Sequence, residues 1–338
     1  MELVMIDDAN FQKTADLINK SNNVLMTTHT KPDGDACGAF VAMTETLNTL
    51  GKKATSVTLS DIPQWYAFLF AEKAPVLGKD ITVEQLQGSA FDLVIIVDTN
   101  SYSQLAKLTE FLKQNDTPVL VIDHHKASNG IGDVELIDSS AAAACLIIYD
   151  LLKFANWPIT ESIAKALFVG ITMDTGWFQF KNTDSRAHRV CAELIDFGLD
   201  SAQLYRDLYQ NYSRCRFELM VAMLNTLEFH FDGRYVTQHL RGTDFERTGA
   251  AFSDTENLID ECRRIASVEV AALFVELPDG HIKVSLRSTG TVDVRKIAQK
   301  FGGGGHTMAS GAHMPGPVEK AKELIATQVK QEFQKLKD

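Results

Sequence analysis

Three apolar runs in this chain end on residues that a strand end does not need. VLMTTH (residues 24–29) stops at His29, FDLVIIVDTN (91–100) carries Asp98 behind its apolar stretch, and TPVLVIDHH (117–125) closes on Asp123, His124 and His125. Runs this uniformly apolar are buried on both sides, which suits parallel strands covered by helices rather than a half-exposed antiparallel sheet. ATSVTLS (54–60) reads as a further strand. Helical stretches lie between and beyond the runs: GAFVAMTETLNTLG (38–51), SAAAACLIIYDLLKFA (140–155) and TESIAKALFVGITMDTG (160–176), the last running into Asp174. The predicted fold class is therefore α/β, a parallel sheet with helices on both faces. In such sheets ligands gather beyond the carboxyl ends of the strands. His29, Asp98 and His124 all fall there.

The texture changes in the second half. SRAHRVCAELIDFG (185–198) is helical, and CRFELMVAMLNTLEF (215–229) is predicted as a longer helix linking the halves. RYVTQHL (234–240), VEVAALFVEL (268–277) and HIKVSLRST (281–289) read as strands, the last two joined at Pro278-Asp279-Gly280, a turn signal. DVRKIAQKF (293–301) is a short basic helix ahead of four glycines and His306, and the chain ends in an amphipathic helix. At 338 residues two domains are expected. The boundaries read as 1–190 for the first domain, 191–228 for a helical linker and 229–338 for a smaller α/β domain.

Charge and composition narrow the function. Residues 229–338 hold 15 Lys and Arg against 15 Asp and Glu, so the whole net charge of −11 lies in residues 1–228, as 18 against 29. A protein that tracks long nucleic acid presents a basic face. This one does not, so no long nucleic-acid tract is expected, and the acidic half suits cations. Five scattered cysteines without a CxxC pair argue for free thiols in a reducing cytoplasm. The N-terminus carries acids where an export signal would carry Lys or Arg, and no apolar run is long enough to span a membrane. The expected setting is the cytoplasm, without a membrane partner.

The stretch THTKPDGDACG (28–38) places His29, Asp33 and Asp35 within seven residues. Taken singly, each candidate has an ordinary reading: Asp33-Gly34 as a turn, Asp98 as a helix cap, His124-His125 as a structural pair. Taken together, four carboxylates at one sheet edge repel unless cations neutralise them. Carboxylate and imidazole donors without thiolate suit Mn²⁺, Mg²⁺, Fe²⁺ or Zn²⁺.

HTKPDGDACG, VIIVDTN, VIDHH and MDTGWF resemble the four motifs of the DHH phosphoesterase superfamily, and FGGGGHTMASGAH with SLRS upstream resembles the DHHA1 domain of its nanoRNase and pAp-phosphatase branch. The resemblance covers nearly the whole chain; Ala39 stands where many relatives carry Ser, at no expected ligand. It implies one metal held by His29, Asp33, Asp98 and Asp174, and a second held by Asp35, Asp98, His124 and Asp174. Two divalent ions are thus the expected cofactors, Mn²⁺ foremost, with Mg²⁺, Fe²⁺ or Co²⁺ as substitutes. Asp123 is expected to orient a ligand imidazole. His125 is expected to contact the scissile phosphate or protonate the leaving oxygen.

On the substrate side, Arg287 ends a strand, where a guanidinium can grip a phosphate. Gly303, Gly304 and Gly305 are expected to meet the substrate through backbone N–H groups, with His306 beside them, although a glycine run also reads as a flexible linker. The implied activity is hydrolysis of short RNA oligonucleotides to 5′-mononucleotides, with conversion of 3′-phosphoadenosine 5′-phosphate (pAp) to AMP beside it. Expected partners are short RNA or DNA oligonucleotides and nucleotides, with a homodimer left open. Cyclic-dinucleotide or linear pApA/pGpG hydrolysis and a RecJ-like single-strand exonuclease are the enzymatic alternatives. A nucleotide-binding module without catalysis would need a missing ligand, and none is missing.

Overall fold

The structure is a computed structural model that describes residues 7–126 and 128–336. It divides into two compact units, one ending at Asn211 and one beginning at Tyr212.

The first unit is built on five parallel strands, β1 (Asn23–Thr28), β2 (Lys53–Ser56), β3 (Leu93–Val97), β4 (Val119–Asp123) and β5 (Val134–Ile137), in the order β2-β1-β3-β4-β5. The helices are α1 (Asp8–Lys20), α2 (Gly34–Thr49), α3 (Val83–Gln87), α4 (Leu108–Lys113), α5 (Ala144–Phe154), α6 (Glu161–Asp174), α7 (Ser185–Ile195) and α8 (Ser201–Tyr209). Strand residues alternate between two cores, as the period of two requires. Met26, Ile95 and Ile122 pack with Phe40, Met43, Ile147 and Leu167 of α2, α5 and α6. Leu25, Ile96 and Val121 pack on the other face with Leu86, Leu108 and Phe111 of α3 and α4. That two-sided burial is why the runs are apolar without alternation, and the doubly covered parallel sheet is the fold class read from the sequence.

The second unit holds a mixed six-stranded sheet in the order β10-β11-β9-β8-β7-β6. Its elements are α9 (Arg214–Leu224), β6 (Glu228–His230), β7 (Tyr235–Leu240), α10 (Gly242–Thr248), β8 (Val270–Glu276), β9 (His281–Ser288), α11 (Val294–Gln299), β10 (Gly304–Gly305), β11 (Ala309–Pro315) and α12 (Val318–Lys335). Only β7 and β8 pair in parallel. Phe274 and Val284 meet Ile297, Ile325 and Val329 of α11 and α12, while Val236 and Leu273 meet Leu219, Met223 and Phe245 of α9 and α10.

Four boundaries differ from the sequence expectation. α2 begins at Gly34, because Asp33 caps it by accepting from the N–H groups of Asp35 and Ala36. α5 begins only at Ala144, after an extended Ala143. α9 stops at Leu224, where Thr226 donates to the Met223 carbonyl and accepts from the His239 N–H. The glycine run contributes a short edge strand, Gly304–Gly305, paired with β11. Among the described residues no helix is long and apolar enough to cross a membrane, and all five cysteines are free thiols.

Candidate metal centre

In the strand order, β2 lies on one side of β1 and β3 on the other, so the order in which strands are added reverses between β1 and β3. Such a switch leaves a crevice beyond the carboxyl ends of the two strands. His29 is the first residue past β1, Asp98 the first past β3 and His124 the first past β4. Asp98 ends its strand in left-handed backbone, φ +59°, a conformation Asp tolerates better than most residues.

The two imidazoles are held alike. His29 Nδ1 lies 2.8 Å from the Thr30 carbonyl, and His124 Nδ1 lies 3.2 Å from the Ala141 carbonyl. A carbonyl only accepts, so each Nδ1 carries the hydrogen and each Nε2 is turned to the site. His29 Nε2 faces Asp98 Oδ2 at 3.5 Å. His124 Nε2 faces Asp98 Oδ1 at 3.4 Å, Asp174 Oδ2 at 3.4 Å and Asp35 Oδ2 at 3.8 Å. Asp98 therefore stands between the imidazoles and offers one oxygen to each.

The remaining carboxylates are set by helix ends. Asp33 is the cap of α2, and Asp35 sits in its first turn. The Asp35 carboxylate accepts from the N–H groups of Ala144 and Cys145, the opening turn of α5, at 2.5 and 3.1 Å. The N-terminus of a helix is a ready seat for an anion. Asp174 is the last residue of α6. α2 and α6 can approach this closely because they meet at glycines. A Cβ on Gly38 would come within 2.4 Å of the Ala166 carbonyl, and one on Gly170 within 2.8 Å of Asp35 Oδ1.

Ligand atoms of His29, Asp33 and Asp98 lie within 4.8 Å of one another, as do those of Asp35, His124 and Asp174, and those of Asp98, His124 and His125. Among the described residues no Lys or Arg forms an ion pair with Asp33, Asp35, Asp98 or Asp174. Burial lowers the His29 pKa, but the bond and charge of Asp98 outweigh it and hold the group at about 9. His124 is likewise lowered by burial and raised further by Asp98, Asp35 and Asp174, to about 10. Burial and neighbouring acids push Asp174 up to about 7, and burial with the charges of Asp98 and Asp174 raises Asp35 well above the carboxylate range. Burial also pushes Asp98 upward, but the two imidazoles override it and hold the group at about 2. Asp98 Oδ1 is buried without a hydrogen-bond donor. Each Nε2 faces an Asp98 oxygen at 3.4–3.5 Å, a pairing that takes positive charge, from a proton on the ring or from a cation in its place. The donor set is oxygen and imidazole nitrogen, so the residues fit hard or borderline divalent cations.

The chain matches the DHH family N-terminal domain over residues 23–171 and the DHHA1 domain over residues 233–335. It is 32% identical to the bifunctional oligoribonuclease and PAP phosphatase NrnA of Thermus thermophilus, across 92% of this chain and 90% of that protein. The chain belongs to the DHH family. It is also 26% identical to the protein of the same name from Bacillus subtilis, across 87% of this chain and 90% of that one. Its fold matches the crystal structure of an exopolyphosphatase-related protein from Bacteroides fragilis with a TM-score of 0.90, at 20% identity and 99% coverage of both chains.

In this DHH chain the paired histidines divide. His124 turns inward, whereas His125 keeps its side chain 54% exposed. Asp123 Oδ1 accepts from the N–H groups of His124 and His125 and from His125 Nδ1 at 2.8 Å. Asp123 thus steers the ring of His125, while the ring of His124 is set by the Ala141 carbonyl. In the DHHA1 unit, Arg287 lies on β9 opposite Ala309 of β11, and its Nε pairs with Asp260 Oδ1 at 3.3 Å. Gly304 and Gly305 lie opposite Gly311 and Ser310 on the far side of β11. Gly303 has no room for a side chain, since a Cβ would meet the Gly311 carbonyl at 2.1 Å; Gly304 is open. His306 is exposed, and its carbonyl accepts from Ser310 Oγ at 2.7 Å.

Several site partners carry no sequence signal. The Thr30 and Ala141 carbonyls and the Ala144 and Cys145 N–H groups are backbone, which any residue supplies. A helix start at Ala144 rather than Ser140 is the one clue that finds the Asp35 seat. Asp260 was missed because a lone Asp in a polar stretch looks like surface.

Proposed function

We propose that this chain is a metal-dependent phosphoester hydrolase of short nucleic acids, cleaving dinucleotides and slightly longer RNA to 5′-mononucleotides and converting pAp to AMP. The observation that carries the reading is Asp98, buried between two imidazoles whose Nδ1 atoms are tied to carbonyls. The names of the relatives that match most of the chain support the substrate class.

His29, Asp33, Asp98 and Asp174 would hold one divalent cation, and Asp35, Asp98, His124 and Asp174 a second, with Mn²⁺ as the native ion. When bound, such a pair supplies Lewis-acid polarisation of the phosphate and a nucleophile available at neutral pH. His125, oriented by Asp123, gives a proton to the leaving oxygen through its exposed ring edge. Arg287, Gly303, Gly304, Gly305 and His306 hold a terminal phosphate, which makes the cleavage exonucleolytic. The setting is the cytoplasm, consistent with five free thiols.

The test is hydrolysis of 5′-phosphorylated RNA, from dinucleotide to decamer, and of pAp, by protein dialysed against EDTA and then given Mn²⁺. Activity should vanish on chelation, return with Mn²⁺, and be lost in Asp98→Asn. Full turnover after chelation, or failure on every nucleotide offered, overturns the proposal.

A further inference from the structure

Two residues past Asp174, Gly176, Trp177 and Phe178 adopt left-handed backbone in succession, with φ of +57°, +54° and +66°. Glycine takes this conformation freely, but bulky aromatic residues do so only where their surroundings enforce it. The surroundings here are explicit. The Trp177 ring is met edge-on by Phe168, Tyr205 and Tyr209 at 5.9, 5.1 and 5.8 Å between centroids. Phe178 stacks on His188 at 4.5 Å with 21° between planes. The Trp177 N–H donates to the Thr172 carbonyl at 2.6 Å, and Asn182 Nδ2 donates to the carbonyls of Ala142 and Asp174.

Two of the three aromatic side chains in Gly-Trp-Phe-Gln-Phe thus anchor the turn. The third does not. Phe180 is 50% exposed, and its ring lies over Gly176, where a Cβ would meet Cε1 and Cζ at 2.5 Å. Its backbone N–H donates to the Thr175 carbonyl at 3.0 Å, which fixes it beside Asp174. A strained turn, secured by two half-buried rings, therefore holds a third ring against backbone on one side with half its surface open to water. An open aromatic face accepts another flat π-system, and a single ring matches a single base.

We infer that Phe180 is a stacking platform for a nucleobase of the substrate, so that the chain grips a base as well as phosphates. This deepens the proposed function and rests on it. Stacking on one aromatic side chain contributes about 5- to 150-fold in affinity, with little discrimination among bases.

The experiment compares wild type with Phe180→Ala, Phe180→Leu and Phe180→Trp on a dinucleotide and on its abasic analogue. It also measures quenching of 2-aminopurine in a non-hydrolysed dinucleotide added to the Mn²⁺-loaded protein. Phe180→Ala and Phe180→Leu should lose about 5- to 150-fold in kcat/KM on the dinucleotide, stay within about twofold on the abasic analogue, and abolish the quenching. Phe180→Trp should restore both. Equal losses on the two substrates, or no quenching by wild type, overturn the inference. Absence of nucleotide hydrolysis by wild type overturns the proposed function instead, and the fluorescence arm keeps the two failures apart.

Discussion

Asp98 offers one oxygen to each of two imidazoles, and without metal both imidazoles sit next to it as proton carriers. His29 is raised from 6.5 to about 9, His124 to about 10, and Asp174 from 3.8 to about 7. For all three groups the folded, metal-free protein binds more protons than the unfolded chain, so this stabilisation is lost as pH rises through those values. A divalent cation must displace the same protons. The thermal stabilisation by a fixed free Mn²⁺ concentration should therefore grow from pH 6 to pH 8, and differential scanning calorimetry with and without the ion measures it. A gain independent of pH would remove these imidazoles from the ligand set. The residue types of this centre were legible in the sequence because imidazoles and carboxylates have few reasons to end buried strands. The tautomers were not, since they depend on carbonyls that carry no residue identity.

At the level of elements, the site is a consequence of how closely α2 and α6 approach. Gly38→Ala would force a methyl against the Ala166 carbonyl, a backbone atom that cannot yield cheaply. It should cost about 1–3 kcal/mol of stability in urea titration. Gly304→Ala, in open space on an edge strand, should change stability by less than about 0.5 kcal/mol. Similar losses for both would mean that the helix contact has slack. The strands and long helices were readable from apolar periodicity, which records burial. The start of α5, the end of α9 and the strand in the glycine run were not, because local capping and cross-strand pairing decided them. The expected helix over 215–229 kept its apolar spacing through Leu227, which follows the turn, and Phe229, which lies in β6.

Over the whole molecule, charge sets what can be bound. The −11 lies entirely in residues 1–228, and the rest of the chain is neutral with one basic stretch, residues 281–300. Holding a strand over many nucleotides takes a continuous positive groove, so catalytic efficiency should peak at about two to four nucleotides and fall steeply beyond about five. Comparable rates on a 20-mer and a dinucleotide would replace this with a processive exonuclease. The proposed metal-ligand residues run from His29 to Asp174 and meet only where β1, β3, β4 and the end of α6 are all in place. No local segment can assemble the site early, and contacts this distant in sequence form late in folding. Mn²⁺ should therefore act as a brake on unfolding, leaving the refolding rate in stopped-flow experiments unchanged while the unfolding rate falls. Faster refolding with the ion would mean that the His29–Asp35 turn captures metal before the sheet exists.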